Sequence, residues 1–283
     1  MFKNLFSSSD YDETLRPGRT ANEISCELGA ATLILGNAQH QGKRSYQEDS
    51  FGFSKITGAC AQSRGVLAVL ADGMGGLSNG KQVSDTAVTK LLTWFNDENT
   101  LCENSIHIMK AVVKINEDIC DVYCDDGRTT AGSTLASAFI KGDMMSWVCI
   151  GDSRIYIKRN EKLFQINEDH DLLNDMLDQY IDGEYDKDDA FNDSQKDGLV
   201  SCIGKWELAN IDYNKKPYQL FDGDIIVLCS DGIYNALTYE EFNSLVNEDA
   251  MECAQRIKDA VLDKNYARQD NLTIIVMYYK KER

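Results

Sequence analysis

Several stretches of this chain are continuously apolar yet too short for helices, and each is flanked by an aspartate. The run from Gly65 to Ala71 stops at Asp72, and the run from Ile225 to Cys229 stops at Ser230 and Asp231. Met144 to Ile150 is followed by Gly151 and Asp152, and Asp270 opens the stretch that continues to Met277. Uninterrupted apolar runs of about five to eight residues, bounded by turn formers, read as buried strands. A chain carrying several of them must stack layers to cover them.

Other strands are expected at Ala31 to Gly36, Phe51 to Ile56, Ser133 to Ile140 and Arg154 to Lys158. The short breaks at 141–143 and 151–153 predict that the strands on either side form one antiparallel meander. Between these groups the period changes. Val83, Ala87, Leu91 and Trp94 recur at helical spacing, as do Ile108, Val112, Ile115 and Ile119 within 104–124. A second helical pair is expected over Tyr239 to Val246 and Ala250 to Leu262. The fold class is therefore α+β, with antiparallel sheets and helices outside them.

Residues 1–28 lack periodicity and read as an N-terminal tail or arm, leaving 29–283 as one compact domain. With only two prolines, Pro17 and Pro217, a proline-rich linker is absent. Residues from about 169 to 198 stand apart. Between Asp175 and Asp197 nine carboxylates face two lysines, a balance that cannot pack as core and marks a mobile surface flap.

The formal charge of −17 argues against nucleic acid and anionic membranes as partners. The nine cysteines form no CxxC pair and read as reduced thiols. No apolar stretch reaches the ~18 residues of a membrane span, and the first residues lack a signal-like segment. The expectation is a cytoplasmic protein.

An aspartate at one strand end is ordinarily a turn former. Asp72, Asp152, Asp231 and Asp270, with Glu48 and Asp49 before another strand, are too many for that reading alone, because strand ends can converge. Converging carboxylates repel unless cations neutralise them. All-oxygen donors favour Mg²⁺ or Mn²⁺, and no His/Cys cluster competes. Two such ions can activate a water and hold a phosphoryl oxygen. Arg44, four residues before Glu48, supplies a planar fork for phosphate. The residues alone point to a two-metal phosphohydrolase.

In order, Arg44–Asp49 (RSYQED), Ala71–Gly76 (ADGMGG), Ala131–Thr134 (AGST), Ile150–Arg154 (IGDSR), Ser230–Gly232 (SDG) and Gln269–Thr273 (QDNLT) resemble the protein phosphatase 2C family. They run from Arg44 to Thr273 within a resemblance that covers about residues 31 to 279, and Met74 with the short loops is similar to bacterial members. The resemblance implies two antiparallel sheets packed face to face between helices, and hydrolysis of phosphoserine and phosphothreonine by attack of a water bridging two metal ions. It implies that Asp72 bridges both ions, the Gly73 carbonyl and Glu48 hold the second, and Asp49 supports Glu48. Asp231 and Asp270 complete the first, Asp152 with Asp231 holds a weaker third, and Arg44 clamps the substrate phosphate. Phosphoproteins made by a Ser/Thr kinase are the implied substrates, with the chain acting as a monomer.

Two positions depart from the family pattern. Met74 stands where many eukaryotic relatives have a histidine acid, and Asn235 where relatives commonly carry an acidic residue. His40, His107 and His170 are poor substitutes and each reads as a structural or surface residue; His170, which heads the flap, is the one candidate exception. A phosphatase-like binding module would be expected to lack a metal ligand, and none is missing. A small-molecule phosphohydrolase is the other alternative, distinguished by an enclosing lid.

A flap of this charge should favour phosphopeptides with basic residues; the alternative is a solvated segment with no part in selection. Reversing about three or four flap charges is expected to shift preference from basic toward acidic phosphopeptides. An unchanged ratio of kcat/KM for the two would leave the flap without that role.

Overall fold

Each apolar run becomes a strand whose two faces look onto different cores. Val66–Ala71 is wholly buried: Val66, Ala68 and Leu70 face the second sheet, while Leu67, Val69 and Ala71 pack against helices. In Leu272–Lys281, Ile275, Met277 and Tyr279 turn inward, and Leu272, Ile274 and Val276 turn outward. Burial on both faces explains why these runs lack polar alternation. The computed structural model describes residues 24–56, 59–74, 79–125 and 128–281. Most of the expected N-terminal arm, and Gly75 and Gly76, lie outside the described residues.

One sheet runs, in spatial order, Ile24–Glu27, Ala31–His40, Leu272–Lys281, Ile225–Cys229, Arg154–Arg159 and Lys162–Gln165. The other runs Asp212–Tyr213, Met144–Ile150, Leu135–Lys141, Val66–Ala71 and Ser50–Phe53, with Tyr218–Gln219 also on Met144–Ile150. All neighbours pair antiparallel. Between the sheets, small Ala68, Ala136 and Ala138 of one meet large Leu33, Leu35, Ile226 and Leu228 of the other in one core.

Helices Asn79–Asn96 and Ser105–Tyr123 cover one outer face, and Tyr239–Leu245 and Ala250–Asp263 cover the other. The result is the expected helix–sheet–sheet–helix sandwich. No helix among the described residues is long and apolar enough to cross a membrane. All nine cysteines are free thiols.

The expected three-strand meander is not formed. Leu135–Lys141 and Met144–Ile150 are a hairpin, but Arg154–Arg159 belongs to the other sheet, paired with Ile225–Cys229. The edge it would have occupied is taken by Asp212–Tyr213 and Tyr218–Gln219. Gly151, at φ 93°, makes the left-handed turn that carries the chain across. The last residues expected in the arm, Ile24–Glu27, add an edge strand by pairing with Thr32–Leu35.

Much of the acidic flap is helical, over Leu172–Ile181 and Lys187–Asn192. The aspartates that keep it from packing also start these helices, since Asp171 and Asp186 accept backbone N–H bonds as N-caps.

Ile275 is fully buried between the sheets. Ile275→Ala is expected to lower unfolding stability by about 2–5 kcal/mol, read by urea denaturation. Activity below the lowered melting temperature should be retained, because the residue lies away from the strand ends.

Candidate active site

Strands of both sheets end at one rim of the sandwich, and a cleft of about 350 Å³ opens there. Its wall includes Arg44, Glu48, Asp72, Gly73, Asp152, Asp231 and Asp270. Seven of the eight residues expected from sequence therefore share one cleft. The eighth, Asp49, is fully buried beneath it.

Local backbone fixes each carboxylate. The Asp72 N–H donates to Thr134 Oγ1 at 2.8 Å, and its carbonyl accepts from Thr134 N–H and Ser133 Oγ, both at 2.9 Å. Asp231 opens the short helix Asp231–Tyr234, and a Cβ at Gly232 would overlap the Asn271 carbonyl. Glycine after Asp231 is thus what lets this helix approach the Asp270 loop. Asp49 Oδ2 accepts from Ser230 Oγ at 2.9 Å and Thr273 Oγ1 at 2.7 Å, tying the strands that carry Asp231 and Asp270.

The loop bearing Arg44 and Glu48 is held by Asn271. Its Nδ2 donates to the carbonyls of Gln41 and Tyr46 at 2.8 and 2.9 Å, and its Oδ1 accepts from Glu48 N–H at 2.8 Å. Arg44 forms an ion pair with Asp270 and is otherwise exposed.

Buried Asp72 faces the negative charges of Asp49, Asp231, Asp152 and Asp270. Carboxyl groups so close cannot all ionise unaided. Burial pushes Asp49 and Asp231 to about 6, Asp152 to about 7 and Asp72 well above the ordinary value, and neighbouring aspartates add to the shift in each. Glu48 Oε1 and Asp49 Oδ1 are buried without a hydrogen-bond partner.

Shared protons and orphaned oxygens are what a hard divalent cation would replace, so the donor set fits such ions. Among the described residues no three ligating side chains already stand as a closed coordination set. The carboxylates line the walls of an open cleft instead.

Sequence reasoning gave no role to Thr134 or Asn271, although both sit inside the matched motifs. It also missed Asp197 and Leu199, which the flap brings to the cleft wall. Only the folded path of the flap reveals those two. His170 takes the structural place expected of it and not the catalytic alternative. It is buried at the flap base, where its Nδ1 accepts from Gly151 N–H at 3.1 Å and its own N–H donates to the Gly151 carbonyl at 3.0 Å. None of the three histidines is in the cleft wall, whereas Met74 is.

With folded values raised above the ordinary 3.8, these aspartates bind protons more tightly in the folded chain than in the unfolded one. Without cations, that contribution to stability is present at low pH and lost as pH rises from about 4 through about 7. The melting temperature in EDTA is therefore expected to fall over that window, and added Mn²⁺ to stabilise more at pH 7.5 than at pH 5. A flat profile would contradict the clustering.

Over residues 37–265 the chain matches the protein phosphatase 2C family. It is 27% identical over 218 residues to the serine/threonine phosphatase stp of Listeria innocua, covering 75% of this chain and 83% of that one. It is 29% identical over 222 residues to the protein phosphatase PhpP of Streptococcus pneumoniae, covering 76% and 87%. Among solved structures it resembles the catalytic domain of the phosphatase PstP in complex with two manganese ions. There the TM-score is 0.67 at 25% identity, over 88% of this chain and 99% of that one. The chain belongs to the protein phosphatase 2C family of metal-dependent serine/threonine phosphatases.

Proposed function

We propose that the cleft hydrolyses phosphoserine and phosphothreonine in proteins, with two Mn²⁺ or Mg²⁺ ions seated among its carboxylates. The observation that carries this reading is the convergence of Asp72, Asp152, Asp231 and Asp270 on one cleft wall, beside a buried, unpartnered Glu48 oxygen. Manganese in the similar PstP structure supports the choice of ion.

Asp72, which faces the charges of Asp49, Asp231, Asp152 and Asp270, would be the ligand shared by both ions. Asp231 and Asp270 would complete one position; Glu48 and the Gly73 carbonyl would hold the other, with Asp49 fixing the strand ends below. Asp152 with Asp231 would form a weaker third. When bound, the ions supply Lewis-acid activation of water and charge neutralisation at phosphorus.

The chain's own groups do the rest. Arg44 pairs with Asp270 and is largely solvent-facing, so once cations neutralise Asp270 its fork is free to take two phosphate oxygens. Thr134 and Asn271 keep the carboxylates from moving apart as charge changes. Met74 has no proton to give, so the leaving serine or threonine oxygen takes its proton from water in the open cleft. A Ser/Thr kinase is the class of enzyme that makes such substrates.

Hydrolysis of a phosphothreonine peptide with Mn²⁺ is expected to vanish in EDTA and to fall roughly 100-fold or more in Asp231→Asn. Arg44→Ala is expected to raise KM roughly tenfold, with a smaller change in kcat. Turnover by Asp231→Asn equal to wild type would rule out this assignment.

A further inference from the structure

Asp152 sits in the crossover from Met144–Ile150 to Arg154–Arg159, the strand that pairs with Ile225–Cys229, and Asp231 follows Ile225–Cys229. Two carboxylates that repel across an open cleft need a rigid spacer if they are to hold one separation. Tyr234, at the far end of the helix that Asp231 opens, donates its hydroxyl to the Asp152 carbonyl at 3.1 Å. The tie joins the crossover that carries Asp152 to the helix that Asp231 opens.

The Tyr234 ring is itself held. The Arg154 guanidinium lies over it, with Cζ 3.6 Å from the ring centroid. Arg154 is two residues beyond Asp152, so it anchors the same loop from behind. Its Nε and Nη2 donate to Asp169 Oδ2 at 2.8 and 2.7 Å, and Asp169 is only 7% exposed. Asp169 is fixed in turn, as its Oδ1 accepts from Gln165 Nε2 and its carbonyl from Asn174 Nδ2, both at 2.7 Å. Arg154 is thus neutralised away from the cleft and is not available to bind phosphate. The neighbouring side chain, Asn235, is neutral and adds no carboxylate to the pair.

We propose that Tyr234 and Arg154 are positioning residues that set the separation of Asp152 from Asp231, and through it the strength of the cation position those two share. The inference rests on the cation-dependent reading of the cleft. Tyr234 supplies the tie between crossover and helix, and Arg154 clamps the ring so that the hydroxyl cannot swing away. Neither touches substrate. Cation–π contact with a desolvated ring gives the clamp its stiffness.

The test titrates Mn²⁺ into EDTA-stripped protein by calorimetry, with phosphothreonine-peptide turnover followed in parallel. Tyr234→Phe keeps the ring under Arg154 and removes only the hydroxyl. Its weakest Mn²⁺ step is expected to half-saturate at roughly fivefold higher concentration, the loss of about one hydrogen bond. The tighter steps, the KM for peptide and the melting temperature of stripped protein should stay as in wild type. Arg154→Lys keeps a charge for Asp169 but loses the planar face, and is expected to shift the same step. A Tyr234→Phe isotherm that overlays wild type overturns the proposal. So does uniform weakening of every step with a lower melting temperature, which marks a merely structural role. Absence of Mn²⁺ binding by wild type would instead overturn the phosphatase reading beneath it.

Discussion

Mutual repulsion among aspartates crowded at one rim of the sandwich is the constraint around which the structure is arranged. Asp72 stands against Asp49 and Asp231, and Asp152 faces Asp231 across the cleft. Left to itself, such a cluster would push the strand ends apart or stay protonated. It holds because each carboxylate leaves a strand buried on both faces, and the three apolar cores fix those strands far more firmly than the rim could displace them. Stability and chemistry are thus separated in space. The cores supply the first, and the rim carries a charge imbalance that cations resolve.

Neutral groups do the fine positioning. Thr134 and Ser133 fix Asp72, Asn271 fixes the Glu48 loop, and Ser230 and Thr273 meet on Asp49. Lys81 Nζ donates to the Asp49 carbonyl at 2.8 Å and pairs with Asp85, so its charge stays outside the cleft. A hydroxyl or amide can hold a carboxylate in place without neutralising it, which leaves the carboxylate available to a metal ion. On the far side, His170 and Asp169 fasten the flap base to the loop of Asp152. The flap is therefore a surface element with a firmly held root.

The outer helices, the buried strands and the carboxylates at their ends were legible because local pattern and burial agree there. Val66–Ala71 could be nothing but a doubly covered strand, and 3.6-residue periodicity marked Asn79–Asn96 and Ser105–Tyr123. The path after Ile150 was not legible. Arg154–Arg159 reads as a strand like its neighbours, and nothing local says that the edge of Met144–Ile150 is filled by residues 63 to 75 positions later. The structural place of His170 was not legible in detail for a similar reason. Its reciprocal bonds with Gly151 depend on a chain crossing that no spacing encodes.

By itself the sequence determined the buried strands, the outer helices, an α+β class with antiparallel sheets and the carboxylate set, because short apolar runs and Asp-Gly turns have few ways to be satisfied. Tertiary structure alone decided how those carboxylates meet. It set Asp72 against Asp49 and Asp231, put Asp49 beneath the cleft, brought Asp197 and Leu199 of the flap to the wall and linked Tyr234 to Asp152. Those contacts join residues from both sheets and from distant parts of the chain. Their distances follow from how the layers pack, which no single segment specifies.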